Sequence, residues 1–418
     1  MQYKLDVLKK LNDIQEDKDI KGLSYAIFPG THCPLFGVAL TASYVENLVM
    51  LVVGTSECTY YTKVFSNHRQ KGKEKVYSLV LKEKDVVFGA DEKVKEAVKY
   101  IMELEEPSGI MIVTTCVPEL IGEDYGGIEG ELEAEFNVPI FVVKTEHYKC
   151  NSHIPGMTRT LSSFIKVMKK QEELDGINIL GHRQAGVDNT ELVTLLKSKG
   201  ININTIIPSK CRMEAIEKAP KAKLNIVTDM TALELAKKME KKFRTPYIFF
   251  DKHMNKEEIF KKYEELQKIL NIDLSLELEE KAKIYDEYFN ETKKLLTNKS
   301  FIYGNTPMMA FETAEFLVEL GMEPKLIQVR GLYEVDVKWK EKIYEAGYNP
   351  YVTRIANIAP LRDLYDSLQV QLYVGHENPM LLKSKGITQM TFDDNAQKIG
   401  YELPIGILKE LIEKFKNN

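Results

Sequence analysis

GIMIVTTCVPELIG, residues 109–122, is a short apolar run bounded by glycine that ends on a cysteine and passes into a helix-compatible segment. A run of this length with little polar alternation reads as a strand buried on both faces. In an open parallel α/β sheet the carboxyl ends of the strands share one edge, and ligands bind there. Two more cysteines have the same setting. NLVMLVVG runs up to Cys58, within VGTSECTYY, and GLSYAIFPG runs up to Cys33, within PGTHCPLFG. Each cysteine leads into an expected helix, whose free N–H groups and positive potential favour thiolate and anionic sulfide. Taken singly, each is a small buried hydrophobe. Taken together, Cys33, Cys58 and Cys116 are three thiolates gathered on one edge, a soft-metal site. A cubane cluster takes four ligands, so the set has to be completed from elsewhere.

Outward from this block the same rhythm continues. PIFVV (139–143), GINILG (176–181), INTIIP (203–208), KLNIVTD (223–229) and TPYIFF (245–250) read as strands; EKVKEAVKYIMEL (92–104) and TELVTLLKSKG (190–200) read as helices. Residues 256–298 break the alternation with two long, charged, helix-periodic stretches. SFIYGN at 300 then restarts it, followed by the helix MMAFETAEFLVELGM, the strand KLIQV, VQLYVGHENP (370–379) and a last helix through GILKELIEKFKN. The opening MQYKLDVLKKLNDI reads as an amphipathic helix. Repeated strand–helix alternation predicts an α/β protein of three Rossmann-like, doubly wound domains with mostly parallel sheets. The expected divisions are 1–172, an N-terminal helix and cluster-binding domain; 173–298, a second domain with connecting helices; and 299–418, a third domain with a C-terminal helix.

Bulk composition narrows the function. The chain has 418 residues, 44% of them hydrophobic and 28% charged, with a net charge of −5. That length implies two or three domains, and the acidic balance without a basic stripe argues against nucleic acid as a partner. No apolar stretch reaches the ~20 residues of a membrane-spanning helix. The start lacks the pattern of a secretory signal, and five cysteines fit free thiols or metal ligands in a reducing cytoplasm. There is no Walker-type G-x-x-x-x-G-K-[ST], no G-x-G-x-x-G after an expected strand, and no C-x-x-C or H-E-x-x-H. The turn from Gly181 to Gly186 has the wrong glycine spacing for a dinucleotide site.

FPGTHCPLFGVALTASYVENLVMLVVGTSECTYY, EKDVVFGADEKV and TTCVPELIGEDYGG resemble the component 1 superfamily of nitrogenase. That superfamily includes light-independent protochlorophyllide and chlorophyllide reductases and a nickel-tetrapyrrole reductive cyclase. The resemblance spans nearly the whole chain and is densest from Cys33 to Cys150. It implies that Cys33, Cys58 and Cys116 are the thiolates such subunits contribute to an iron–sulfur cluster, [4Fe-4S] or a larger bridging one, at a dimer interface. PKAKLNIVTDMTALE resembles the stretch that carries a cofactor-binding cysteine in nitrogenase, and here the aligned residue is Asp229. A hard carboxylate is a poor substitute for a thiolate on an iron–sulfur cofactor, so no resident iron–molybdenum cofactor is expected.

Other candidates are less sharply drawn. Cys150 is either a local structural residue or a fourth ligand, an alternative to a ligand from a partner subunit. Cys211 reads as a buried or surface thiol. His376 and Glu377 in YVGHENP follow a strand end; they either act as catalytic acid and carboxylate on a substrate or cap the next helix. His32 stands beside Cys33, whereas His147, His153 and His182 have no assigned role. Glu119 and Asp124 favour a helix start.

The resemblance implies the catalytic component of an ATP-dependent reductase. A nitrogenase reductase-like iron protein would supply electrons, a homodimer or a heterotetramer with a sister subunit would form, and a small organic molecule, with a tetrapyrrole as default, would be reduced. A cofactor assembly scaffold is the alternative, and a small-molecule binding module with merely buried cysteines is a third reading.

Overall fold

The computed structural model describes residues 5–23, 33–60, 63, 75–149, 152–181, 187–209, 211–304, 309–354 and 359–416. They form two compact units: one of Pro29–Val187 with Leu196–Asp251, the other of Met1–Phe28, Asp188–Leu195 and Lys252–Asn418.

The expected N-terminal amphipathic helix does not form over the described residues. Leu5–Val7 and Leu11–Asp13 are single 3₁₀ turns around a two-residue strand, β1 (Lys9–Lys10). Leu5, Leu8, Leu11 and Ile14 recur every three residues, which suits a turn of 3.0 residues better than one of 3.6. The segment satisfies its backbone by pairing antiparallel with Val352 and Tyr351, where Leu8, Leu11 and Ile14 become buried. A single short helix would bury its apolar stripe without those ladder bonds.

In the unit that begins at Pro29, a two-residue strand β2 (Val45–Glu46) precedes β3 (Leu48–Gly54), β4 (Val76–Val80), β5 (Gly109–Thr114) and β6 (Ile140–Lys144). The last four make a parallel sheet in the order β4-β3-β5-β6. Its central strands are apolar at nearly every position because both faces are covered. Met50, Val52, Met111 and Val113 join one core with Leu35 and Val38 of the helix Pro34–Ala42. Val49, Leu51, Ile110 and Ile112 join another with Val94, Val98 and Ile101 of the helix Asp91–Glu105. Further on come β7 (Ile177–Leu180), β8 (Ile203–Ile207), β9 (Cys211–Arg212), β10 (Leu224–Val227) and β11 (Tyr247–Phe249). Four of these form a second parallel sheet, β11-β10-β7-β8, while β9 pairs with β2.

Helices Pro34–Ala42 and Ile154–Ser163 cross at two glycines. A Cβ on Gly37 would lie 1.9 Å from the His153 carbonyl oxygen, and one on Gly156 would lie 1.9 Å from that of Pro34. Backbone cannot yield as a flexible side chain does. Gly156→Ala is therefore expected to destabilise the protein by about 3 kcal/mol, the upper part of the overpacking range. Gly130→Ala, on a helix where nothing lies within 4 Å, should stabilise it by up to about 1 kcal/mol. Urea unfolding of the two variants side by side checks the pair, and equal effects would refute the close crossing.

The other unit holds a sheet of β12 (Ser300–Tyr303), β13 (Glu323–Val329), β14 (Tyr351–Arg354), β15 (Leu372–Val374) and β16 (Thr388–Met390). With β1 the order is β1-β14-β13-β12-β15-β16, parallel throughout except at β1. The long helices Lys256–Leu270 and Ser275–Leu296 belong to this unit, the first capped by the Asn255 side chain, which accepts from the N–H groups of Glu257 and Glu258. Glu191 closes the same unit. Its carboxylate accepts from Tyr263 Oη (2.8 Å) and from the N–H groups of Tyr401 (3.0 Å) and Glu402 (3.1 Å), and Lys281 Nζ lies 3.2 Å away. Glu402 returns the bond, accepting from the Glu191 N–H at 3.0 Å. Burial pushes the Glu191 pKa up, while Lys281, the Tyr263 hydroxyl and the Tyr401 N–H pull it back.

Candidate functional site

Strand order locates the site. In β4-β3-β5-β6 the chain starts at β3, steps to one side for β4, then crosses to the other for β5 and β6. The carboxyl ends of β3 and β5 thus flank the topological switch point, where an open α/β sheet has its crevice. Cys58 follows β3 by one short connection within a helical run over 56–60, and Cys116 is the first residue of the helix Cys116–Leu120 directly after β5. Register fixes this pairing, with Val53 opposite Thr114.

Two contacts hold the edge in shape. The Thr115 hydroxyl donates to the Val53 carbonyl at 3.0 Å, and a Cβ on Gly54 would come 2.0 Å from that hydroxyl oxygen. Glu119, one turn past Cys116, accepts from the Thr114 hydroxyl (2.6 Å), the Thr145 N–H (2.6 Å) and the Glu146 N–H (2.7 Å). It ties the exit of β5 to that of β6. The expectation for Glu119 was only a helix-start role; no local pattern announces a clamp on groups 26 and 27 residues away.

Cys33 is the N-cap of the helix Pro34–Ala42. Burial pushes its thiol up to about 11; the N–H groups of Leu35 and Phe36 oppose that, while the thiols of Cys58 and Cys116 add to it by charge. Cys116 is raised for the same first reason, burial, with Cys58 next. The three sulfurs therefore feel one another across this edge. The Thr55 hydroxyl lies 3.4 Å from Cys58 Sγ. All three cysteines are half-buried, unlike Cys211, which is buried in the core of its unit. Among the described residues no group of three or more His, Cys, Asp or Glu is drawn together tightly enough to hold a metal ion. As a donor set, three thiols at helix N-termini, half-open at a switch point, fit the chemistry of an iron–sulfur cluster that brings its own sulfides and takes a further ligand from outside. Cys150, His32 and His182 lie outside the described residues.

The second sheet has its own switch point, between β7 and β10. It is filled: Gly181 has a φ of +105°, and a Cβ there would stand 2.7 Å from the Asp229 Cβ. Asp229 is buried, and its Oδ1 accepts from the Thr231 N–H (2.9 Å) and hydroxyl (2.6 Å), capping the turn Met230–Ala232. Cys211 donates to the Pro208 carbonyl at 3.4 Å, and burial pushes its thiol up to about 12.

In the unit with β12–β16, Glu377 follows β15 with a buried side chain. It accepts two bonds from Arg362 (2.6 and 3.0 Å) and one from Tyr365 Oη (2.8 Å). The Arg362 guanidinium and these donors hold its carboxyl below the ordinary range against the opposing effect of burial. His376 is exposed, with Nε2 3.0 Å from Asp393 Oδ2. Asn378 caps the helix Pro379–Ser384 by accepting from the N–H groups of Met380 and Leu381. His147 sits in the turn His147–Lys149, and the His153 ring meets Phe36 edge-on at 5.8 Å. Asp124 accepts from the Gly126 N–H at 3.2 Å, at the start of the helix Gly126–Phe136.

Parallel sheets with helices on their faces, and cysteines at the carboxyl edge of the first, define a multi-sheet α/β protein with a thiol-lined ligand crevice. The profile of the nitrogenase component 1 type oxidoreductases matches residues 33–413. The chain belongs to that family. It is 27% identical over 337 residues to the nitrogenase iron-molybdenum cofactor biosynthesis protein NifE of Clostridium pasteurianum, covering 76% of this chain and 74% of that protein. It is 28% identical over 218 residues to the nitrogenase molybdenum-iron protein alpha chain of the same organism, 49% of this chain and 41% of that one. One of the two kinds of light-independent protochlorophyllide reductase polypeptide, from a Picosynechococcus species, is 27% identical over 176 residues, 38% of this chain and 34% of that one. The solved structure of nitrogenase Cp1 at pH 6.5 superposes with a TM-score of 0.81 over 99% of this chain and 97% of that one, at 18% identity, which establishes the shared fold. Among the described residues no helix is long and apolar enough to cross a membrane.

Proposed function

We propose that this chain is the electron-accepting catalytic component of a nitrogenase-like, ATP-dependent reductase acting on a small organic molecule. The observation that carries the reading is the placing of Cys58 and Cys116 on either side of one switch point, with Cys33 within electrostatic reach of both. Cys33, Cys58 and Cys116 would hold an iron–sulfur cluster, with Cys150 or a partner subunit supplying the fourth ligand. Such a cluster, when bound, supplies one-electron transfer at low potential. The chain's own residues position the thiols. Thr115 and Gly54 fix the β3–β5 edge, Glu119 fixes the approach of the β6 exit, and the helix N-termini offer N–H groups to anionic sulfur.

A separate iron protein with its own P-loop would deliver electrons and hydrolyse ATP, which fits a chain without a Walker motif. A tetrapyrrole is the default substrate class, by analogy with the protochlorophyllide reductase relative. Asp229 favours a site without a resident iron–molybdenum cofactor, since its carboxylate is engaged in capping. His376 and Asp393 form an exposed pair suited to proton delivery, and Glu377 holds Arg362 at the same strand end.

Anaerobic purification with iron and sulfide assay is the test. A brown protein with near-stoichiometric iron per cluster, reduced on adding an iron protein and ATP, is the expected result. Colourless protein that takes up no iron on reconstitution overturns it and leaves a binding module.

A second reading, an assembly scaffold for a nitrogenase-type cofactor, is favoured by the similarity to NifE proteins. It predicts a cluster that passes from this chain to an apo acceptor, whereas the reductase reading predicts retention through turnover.

A further inference from the structure

Helices of the unit with β12–β16 meet around a pair of carboxyl groups that nothing above uses. Glu315 and Glu319 are one helical turn apart on the helix Ala310–Glu319 and hydrogen-bond to each other. Glu315 is 4% exposed, and its Oε2 has no hydrogen-bond partner outside the pair. The nearest cation, Lys342 on the helix Val337–Glu345, stands 3.7 Å from its Oε1. Glu319 accepts from the Asn255 side chain at 3.1 Å, and Asn255 also caps the helix Lys256–Leu270.

Charges facing the pair come from every neighbouring element. Glu312 lies on the same helix and accepts from the Met254 N–H while bonding His253 Nδ1. Glu257 belongs to the helix that Asn255 caps, and Tyr285 and Lys293 come from Ser275–Leu296. Acids outnumber cations here, and two carboxylates in contact away from water cannot both ionise without strong repulsion.

We propose that the Glu315–Glu319 pair is a proton-operated clamp: a single proton shared between the two carboxyls locks the helices of this unit together, and its loss loosens them. Desolvation first, then the neighbouring acids, moves the affinity of Glu315 for its proton upward, and burial does the same for Glu319. The sign follows from linkage. A carboxyl whose folded pKa exceeds its unfolded one makes the folded state bind more protons. Its stabilising contribution is complete below the unfolded carboxylate range and is lost as pH rises towards the folded value.

Trp339, the single tryptophan, sits on Val337–Glu345 beside His253 and reports on this junction. Urea unfolding followed by its fluorescence, at pH 5.5 to 9, compares wild type with Glu315→Gln. The ratio of their unfolding constants is expected to change by up to about tenfold per pH unit in the window between unfolded and folded values, with wild type losing ground as pH rises. A ratio independent of pH overturns the clamp. Should Glu315→Gln fail to fold, infrared spectra of the wild type decide: a protonated-carboxyl band at neutral pH that fades on alkaline titration supports the proposal, and its absence at neutral pH refutes it.

Discussion

Cys58→Ala is expected to yield a folded, colourless protein that retains little or no iron and has no reductase activity. The sulfur sits in the connection after β3, half-buried, across the switch point from Cys116. Removing one of three thiols from an already incomplete ligand set leaves two, and a methyl group offers iron nothing. The fold should survive because Cys58 packs only at the margin of the core. Cys211→Ala is the contrast. That sulfur is 4% exposed inside the same core and bonds a backbone carbonyl, so its loss leaves a small cavity and an intact iron content. Iron per chain and visible absorbance after anaerobic reconstitution separate the two, with far-ultraviolet circular dichroism to confirm folding. Full iron in both variants would place the ligands elsewhere and remove the basis of the redox reading.

Glu191→Ala is expected to be the most destabilising single change in the other unit, by about 3–5 kcal/mol, the range for breaking a buried charged network from one side. The variant leaves the Tyr263 hydroxyl, two backbone N–H groups and the Lys281 ammonium without the acceptor they share. The reciprocal bond from the Glu191 N–H to Glu402 shows how closely the two helix starts are stapled. Gly400 completes the fit. Its φ is +85°, and a Cβ there would meet Glu191 Oε1 at 2.4 Å. Glu191→Gln keeps the shape but turns an amide N–H₂ towards other donors, so an intermediate loss is expected. Thermal and urea unfolding measure both, and a Glu191→Ala change within about 1 kcal/mol of wild type, the size of an ordinary surface pair, would show that solvent already satisfies these groups.

The central strands are legible in the sequence because they are buried on both faces. Runs such as NLVMLVVG and GIMIVTT have no amphipathic alternation to confuse with a helix, and glycine bounds them. The helices at 256–270 and 275–296 are legible from their charge periodicity. The opening segment is not. Its three-residue spacing of apolar residues is compatible with a helix until the partner strand at 351–354, far along the chain, offers an edge to pair with. β14 and β16 escape a sequence reading for a related reason: each is short and has meaning only beside its neighbour in the sheet.

Local pattern is enough to specify the α/β alternation, the family, and the setting of Cys58 and Cys116 at strand ends, because each follows from an apolar run, a glycine and a helix start close together in the chain. Packing at long range makes β3 and β5 neighbours across a switch point, turns Glu119 and Glu191 into clamps, and engages Asp229 and Glu377 with their donors. Strand order and register set most of these relations, and they arise from contacts between residues tens to hundreds of positions apart. No short window of sequence contains both partners of such a contact, so folding alone brings them together.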